Sequence, residues 1–296
     1  MGLFLSGSLV AVVTPMTAAG DIDWTAWERL VDWHFAAGTD GLVVAGTTGE
    51  SPTLTEPEVE ELLRRARPRF PGRPLLAGSG SNSTAASIAR GARFAAAGAD
   101  AVLVVAPYYN KPTQAGLLAH YRAIGAASPV PVVLYNVPGR TGVDILPATV
   151  AELAGSRNLV AIKESTMSVE RIRELLRLVD GRMSVLCGDD PVAAEAMLAG
   201  AQGVISVTAN VAPRQMHELA VAARAGDAAR ALAIDETLKP LHAALFVESN
   251  PIPTKWALEQ MGLIGPGIRL PLLPLSAGQQ PTVAAALAAL PRSQAA

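Results

Sequence analysis

A single cysteine, Cys187, among 296 residues excludes an intrachain disulfide framework and any multi-thiolate metal site. It fits a reducing compartment, where such a thiol is a small buried hydrophobe. Charge is also scarce: 17% of residues are charged, the formal net charge is -2, and no arginine cluster interleaves with aromatics. Nucleic acid therefore has no electrostatic footprint here. No run of about 18 uncharged apolar residues is available to cross a bilayer. The N-terminal stretch lacks a basic n-region and breaks at Thr14-Pro15, so it reads as a first strand and not a leader. Met1-Gly2 with Ser6 matches a myristoylation pattern only formally. The four histidines, at 34, 120, 217 and 242, fall in predicted helices with no HExxH spacing. Gly78-Ser79-Gly80 lacks the rest of a dinucleotide fingerprint, and no Walker lysine exists. These absences point to small-molecule partners and a cytoplasmic protein, with no metal and no organic cofactor expected.

Half of the residues are hydrophobic, which is ample for a large core. Short β-rich runs recur at intervals of roughly 20 to 35 residues, each followed by an alanine-rich amphipathic stretch. The runs are 8–13, 41–45, 75–77, 101–106, 132–135, 159–163, 184–186 and 203–207. Helical patterns between them include 24–37, 56–67, 85–97, 113–127, 147–154, 169–179 and 191–199. Eight βα units predict an α/β fold, a closed (β/α)8 TIM barrel over residues 1–226. An open doubly wound sheet would place a glycine fingerprint after its first strand, where this chain has Thr14-Pro15-Met16. Beyond Gly226 the pattern becomes helical without strands, at 227–246, 253–261 and 282–290. Residues 227–296 are therefore expected to form a C-terminal helical extension.

Lysine is rarer than arginine, with four in the chain, and one of them, Lys163, ends the apolar run Leu159-Val160-Ala161-Ile162. Such a run is a strand buried on both faces, so its terminal amine is partly desolvated. Burial disfavours the ammonium form, and a neutral amine attacks carbonyl carbon to form a Schiff base. A solvated lysine whose stem snorkels along apolar surface is the ordinary alternative. Barrel enzymes draw their catalytic groups from the C-terminal ends of several strands. Strand two ends in Gly46-Thr47-Thr48-Gly49-Glu50-Ser51, which suits an anion nest or an ordinary turn. Strand four ends in Pro107-Tyr108-Tyr109-Asn110, and strand five in Tyr135-Asn136 followed by Arg140, a candidate carboxylate clamp. Strand seven ends in Gly188-Asp189-Asp190, where Asp190 before Pro191 is expected to cap a helix.

Taken in order on those strand ends, Gly46 to Glu50, Pro107 to Asn110, Tyr135 to Pro138 with Arg140-Thr141-Gly142, Ile162-Lys163-Glu164, Gly188-Asp189-Asp190 and Gly203 to Asn210 resemble the dihydrodipicolinate synthase family. Phe246-Val247-Glu248, Asn250-Pro251-Ile252-Pro253 and Lys255-Trp256 extend the likeness into the C-terminal region. The resemblance implies a class I lyase that condenses pyruvate with L-aspartate 4-semialdehyde in lysine biosynthesis. It implies Lys163 as the Schiff-base residue and Tyr135 as the proton carrier, linked through Thr47 to Tyr109 of a neighbouring subunit. Thr48 would hold the pyruvate carboxylate and Arg140 that of the semialdehyde, with backbone groups at Gly188 and Ile205 facing the pocket. A homotetramer built as a dimer of dimers is implied as well.

Lysine-sensitive relatives carry histidines at the positions of Glu56 and Val59 and a glutamate at that of Ala86, so weak or absent lysine inhibition is expected. Gly139 stands where many relatives have serine, which is expected to loosen the turn bearing Arg140. Two other readings remain at this point: another pyruvate-forming lyase of the superfamily, such as N-acetylneuraminate lyase or a keto-deoxy sugar acid aldolase, and a barrel that binds without turnover.

Overall fold

The structure, a computed structural model, describes residues 4–290; the Met1-Gly2 pair and residues 291–296 lie outside them. Eight parallel strands close on themselves: β1 Gly7–Ala11, β2 Gly41–Val44, β3 Leu75–Gly78, β4 Ala101–Val105, β5 Val132–Asn136, β6 Leu159–Glu164, β7 Ser184–Cys187 and β8 Gly203–Ser206. Each pairs with the next, and β8 returns to β1, with Gly7 opposite Gly203. The expected (β/α)8 barrel is therefore what the chain forms. The first strand is shorter than its apolar run. Past Ala11 the N–H of Val13 donates to the Asn210 side chain at 3.0 Å and the Thr14 hydroxyl to the Gly49 carbonyl at 2.8 Å, which bends the chain out of the ladder.

Successive side chains in a strand face opposite ways, and this period sorts the residues of the barrel. Leu9, Val43, Leu76, Leu103, Val133 and Ala161 fill the lumen. Val10, Leu42, Val104, Leu134, Ile162 and Val185 pack outward against the helices. Lys163 follows Ala161 by two and belongs to the lumen, while Glu164 follows Ile162 and belongs to the shell.

Helix starts agree with their sequence signals. Thr55 makes a capping box with Glu58 at the head of Glu56–Ala66, and Asp23, Ser83, Thr113 and Ser168 each accept a bond from the backbone of the helix they precede. The pattern at 191–199 is divided: a 3-10 turn Asp190–Val192 precedes the helix Ala193–Leu198. Asp190 is not the helix cap expected of it. Its carboxylate instead accepts the N–H groups of Val207 and Thr208 at 2.9 and 2.8 Å, tying the loop after β7 to that after β8. A short helix, Pro138–Thr141, occupies the turn after β5.

The last segment contributes the helices Ala228–Ala244, Ile252–Gln260 and Gln280–Ala289. The first packs on the closing barrel helix Pro213–Arg224. From the second, Lys255 reaches the loop after β2 and forms an ion pair with Glu50; the two residues are 4% and 2% exposed. Glu50 also accepts the N–H of Arg269 at 3.1 Å, and the Arg269 guanidinium grips Glu58 at 2.5 and 3.0 Å. Removing one member of a buried pair strands the other charge without solvent, which costs about 3–5 kcal/mol. Lys255→Met should lower the unfolding free energy by about that amount in urea titrations, and adding Glu50→Gln should restore much of it. A single variant as stable as the wild type would show that the pair holds nothing in place.

Candidate active site

β5 and β6 run in register, with Tyr135 opposite Lys163, and both side chains point into the lumen. Lys163 is 5% exposed, and its Nζ lies 4.3 Å from the centroid of the Tyr135 ring. A cation or an amine over an aromatic face is held by the ring quadrupole and its packing, so the lysine has a preferred direction across the lumen. Gly188, at the end of β7, makes room for it: a Cβ there would lie 2.8 Å from Lys163 Cε and 1.9 Å from Ser165 Oγ. Any side chain at 188 would push the lysine aside.

The amine opens on a cavity of about 70 Å³ lined by Thr47, Thr48, Tyr135, Arg140, Gly188 and Asp189 among others. A second cavity, about 260 Å³, shares Gly46, Thr47, Leu103 and Tyr135 with it and extends to Ser51, Glu56, Arg90 and Tyr108. Lys163 lines the smaller of the two and not the larger.

The turn after β2 has the geometry of an anion nest. The N–H groups of Gly49, Glu50 and Ser51 are consumed inside the turn by the carbonyls of Gly46 and Thr47, whereas those of Thr47 and Thr48 donate to no backbone acceptor. The Thr48 hydroxyl accepts from Asn250 Nδ2 at 2.9 Å. That nitrogen is donor only, so the hydroxyl proton of Thr48 is free for an incoming oxygen. Gly78 permits the turn to form, since a Cβ there would lie 2.0 Å from the Ala45 carbonyl oxygen.

Arg140 sits on the exposed one-turn helix at the cavity rim, with one long bond, 3.4 Å, to the Asn250 carbonyl. Nothing lies within 4 Å of a Cβ built on Gly139, so a larger residue would meet open space there. The structure thus brings together Lys163, Tyr135, Thr47, Thr48, Arg140 and Gly188. The side chains of two expected members do not line this cavity. Ile205 is fully buried in the lumen packing, and the side chain that β8 and its loop present to the cavity is Val207. Tyr109 is 89% exposed, with a left-handed φ of 73°, and does not line the cavity of its own chain.

Beside the apolar Ala11, Leu103, Val137 and Val207, four polar or aromatic residues border the cavity without having been assigned to it from sequence: Ser165, Asp189, Phe246 and Asn250. The last two come from the extension, and only tertiary structure carries them there. Among the described residues no cluster of three or more His, Cys, Asp or Glu side chains is arranged to hold a metal.

Burial shapes the acids nearby. It raises Asp189 above the usual carboxylate range, against the N–H of Met167, which donates at 2.7 Å. It pushes the Cys187 thiol up to about 12. Glu164, just outside the barrel wall, is pushed by burial up to about 7, with Asn136 and Arg171 pulling the other way. A carboxyl near 4.5 when unfolded and about 7 when folded holds a proton in the native state that the unfolded chain has released. Its contribution is complete below about pH 4.5 and is lost as pH rises through about 7. Glu164→Gln should therefore lose less stability than the wild type between about pH 4.5 and about pH 8, by up to about 3 kcal/mol. Parallel urea-titration curves for the two proteins would place Glu164 among ordinary solvated acids.

Residues 4–290 match the model of the dihydrodipicolinate synthetase family. The 4-hydroxy-tetrahydrodipicolinate synthase of Stutzerimonas stutzeri is 53% identical over 93% of this chain and 95% of its own length. That of Pseudomonas aeruginosa is 52% identical, covering 92% and 94%. Among solved structures, the chloride-inhibited dihydrodipicolinate synthase of Acinetobacter baumannii, complexed with pyruvate, superposes with a TM-score of 0.95 at 47% identity, covering 97% of this chain and 99% of that one. The enzyme of Cyanidioschyzon merolae with lysine bound gives 0.91 at 36% identity, covering 96% and 97%. The chain belongs to the dihydrodipicolinate synthetase family.

Proposed function

We propose that the protein condenses pyruvate with L-aspartate 4-semialdehyde to 4-hydroxy-tetrahydrodipicolinate through a Schiff base on Lys163. The observation that carries this reading is a lysine 5% exposed in a barrel lumen, its Nζ 4.3 Å from a tyrosine ring, between an anion nest and an arginine. The Lys163 amine adds to the ketone carbon of pyruvate, and the carbinolamine loses water to give an iminium. That iminium draws electrons from the methyl group. Loss of one methyl proton yields an enamine, whose carbon attacks the aldehyde of the second substrate; the aldehyde oxygen takes up a proton and becomes the hydroxyl. The substrate's own amine then adds to the imine carbon, closes the ring and releases Lys163.

In this scheme Tyr135 carries the protons, with Thr47 linking it to Tyr109. The N–H groups of Thr47 and Thr48 and the Thr48 hydroxyl receive the pyruvate carboxylate. Arg140 receives that of the semialdehyde, and backbone groups at Gly188 and Ile205 complete the wall. Holding both substrates at one carbon is the main source of rate. The assembly is a cytoplasmic homotetramer, a dimer of dimers, in which the exposed Tyr109 crosses to the Thr47–Tyr135 pair of a neighbouring copy. Substrate selection against the sugar-acid lyases rests on Arg140.

Borohydride added with pyruvate should reduce the imine and leave a pyruvyl adduct on Lys163, detectable by intact-mass spectrometry and absent from Lys163→Ala. Tyr135→Phe should still trap pyruvate but turn over more slowly by about 10²-fold or more. Absence of an adduct in the wild type ends this reading, and faster turnover with N-acetylneuraminate or a keto-deoxy sugar acid would redirect it. Glu56 is engaged by Arg90 and Arg93 at 3.2 and 2.6 Å, and Val59 is buried. Millimolar lysine should leave steady-state rates nearly unchanged; full inhibition would contradict that expectation.

A further inference from the structure

Immediately behind the Tyr135–Lys163 pair lies a second pair in the same register, Asn136 opposite Glu164. The alternation that turns the first two inward turns these two outward, where they are 0% and 2% exposed. Asn136 Nδ2 donates to both Glu164 oxygens, at 3.0 and 3.1 Å, and to Asp144 Oδ1 at 2.7 Å. Its Oδ1 accepts the N–H of Ile145 at 2.9 Å. Every hydrogen-bonding group of the amide is thereby used. Arg171 completes the cluster from the helix Val169–Val179, with Nη2 at 2.7 Å from Asp144 Oδ1 and 2.8 Å from the Ile145 carbonyl, and Nε 3.7 Å from Glu164 Oε2.

None of these groups reaches the cavity, yet two carboxylates are placed on one guanidinium in the wall of a barrel. An apolar residue would fill the position of Glu164 at lower desolvation cost, so its value lies in what it holds. What it holds is Asn136, and through it the far end of residues 137–145. The near end of that segment is the short helix bearing Arg140. Arg140 has only its 3.4 Å bond to Asn250 for support, so its direction follows the segment.

We infer that Glu164 is a positioning residue that, through Asn136 and Asp144, keeps the Arg140 turn in register with the Tyr135–Lys163 pair. The inference rests on the reading of Lys163 as the imine-forming residue and Arg140 as the clamp for the second carboxylate. Holding that turn matters to the aldehyde substrate alone, because pyruvate is bound on the opposite side by the Thr47-Thr48 turn.

The test is steady-state kinetics and borohydride trapping of the full-length wild type, Glu164→Ala, Glu164→Gln and Asp144→Asn. Glu164→Ala should trap pyruvate as the wild type does, with the KM for pyruvate within about twofold, while the KM for L-aspartate 4-semialdehyde rises at least about tenfold. Glu164→Gln keeps an acceptor oxygen and the volume, and should recover part of the loss. Asp144→Asn, on the outer side of the cluster, should raise the aldehyde KM in the same direction, and carries the test if Glu164→Ala fails to fold. Equal shifts in both KM values, or no shift in any variant, overturn the inference while wild-type trapping leaves the condensation chemistry standing. A wild type that forms no pyruvate adduct removes both together.

Discussion

Closure of the sheet is the constraint from which the rest follows. A barrel without an edge gives each strand residue only two directions, into the lumen or into the helical shell. Register between neighbours then fixes which residues meet. On β6 this assigns Lys163 to the inside and Glu164 to the outside in consecutive positions, and on β5 it does the same for Tyr135 and Asn136. The proposed catalytic pair and the pair inferred to brace it are thus back to back across one sheet of backbone. A slip of one residue in both strands would exchange them, placing a carboxylate and an amide in the lumen and sending the amine into an apolar shell. The register shift between Val132 and Val133 lies upstream of these positions, so the pairing from Val133 through Asn136 is uninterrupted.

A second consequence concerns how a lumen lined by aliphatic residues comes to handle anions. Most of the barrel interior offers no hydrogen-bond donors, and a carboxylate entering it would lose its hydration without replacement. The chain meets this at the mouth. The Gly46–Ser51 turn spends three N–H groups on its own closure and leaves those of Thr47 and Thr48, two residues that line the cavity, without a backbone acceptor, and Gly78 gives way so that the turn can lie on β3. Rigid donors of this kind need no reorganisation when charge arrives. The turn is fixed in place from outside by the buried Lys255–Glu50 pair, which belongs to a segment distant in sequence.

Much of this was legible in the sequence because the local signals agreed with the global fold. The eight β-rich runs, the capping residues and the strand-end clusters are short-range patterns, and local propensity and tertiary packing favoured the same answer. The rest was hidden for identifiable reasons. Asp190 sits where an N-cap would, but the N–H groups of Val207 and Thr208 compete for its carboxylate, and their approach depends on barrel closure. Phe246 and Asn250 border the cavity only because the extension folds back over the barrel mouth, which no periodicity encodes. Glu164 read as part of a motif and not as a brace, since its partners Asn136, Asp144 and Arg171 come from three other places in the chain.

Asn250 joins these strands of reasoning. Its side-chain amide donates to Thr48, and its carbonyl accepts from Arg140, so one residue of the extension touches the groups on both sides of the amine. The two contacts differ in strength. The first is 2.9 Å and buried, the second 3.4 Å at the rim. In the proposed reaction, a tight hold on the Thr48 side and a loose one on the Arg140 side suits capture of the keto acid by preformed donors before the second carboxylate reaches the guanidinium. Such freedom has to be bounded, because an arginine free to swing into solvent would clamp nothing. On the inference drawn above, the bound is supplied from beneath by the Asn136–Glu164–Asp144–Arg171 cluster, which holds the segment at Asn136 on one side and at Asp144 and Ile145 on the other.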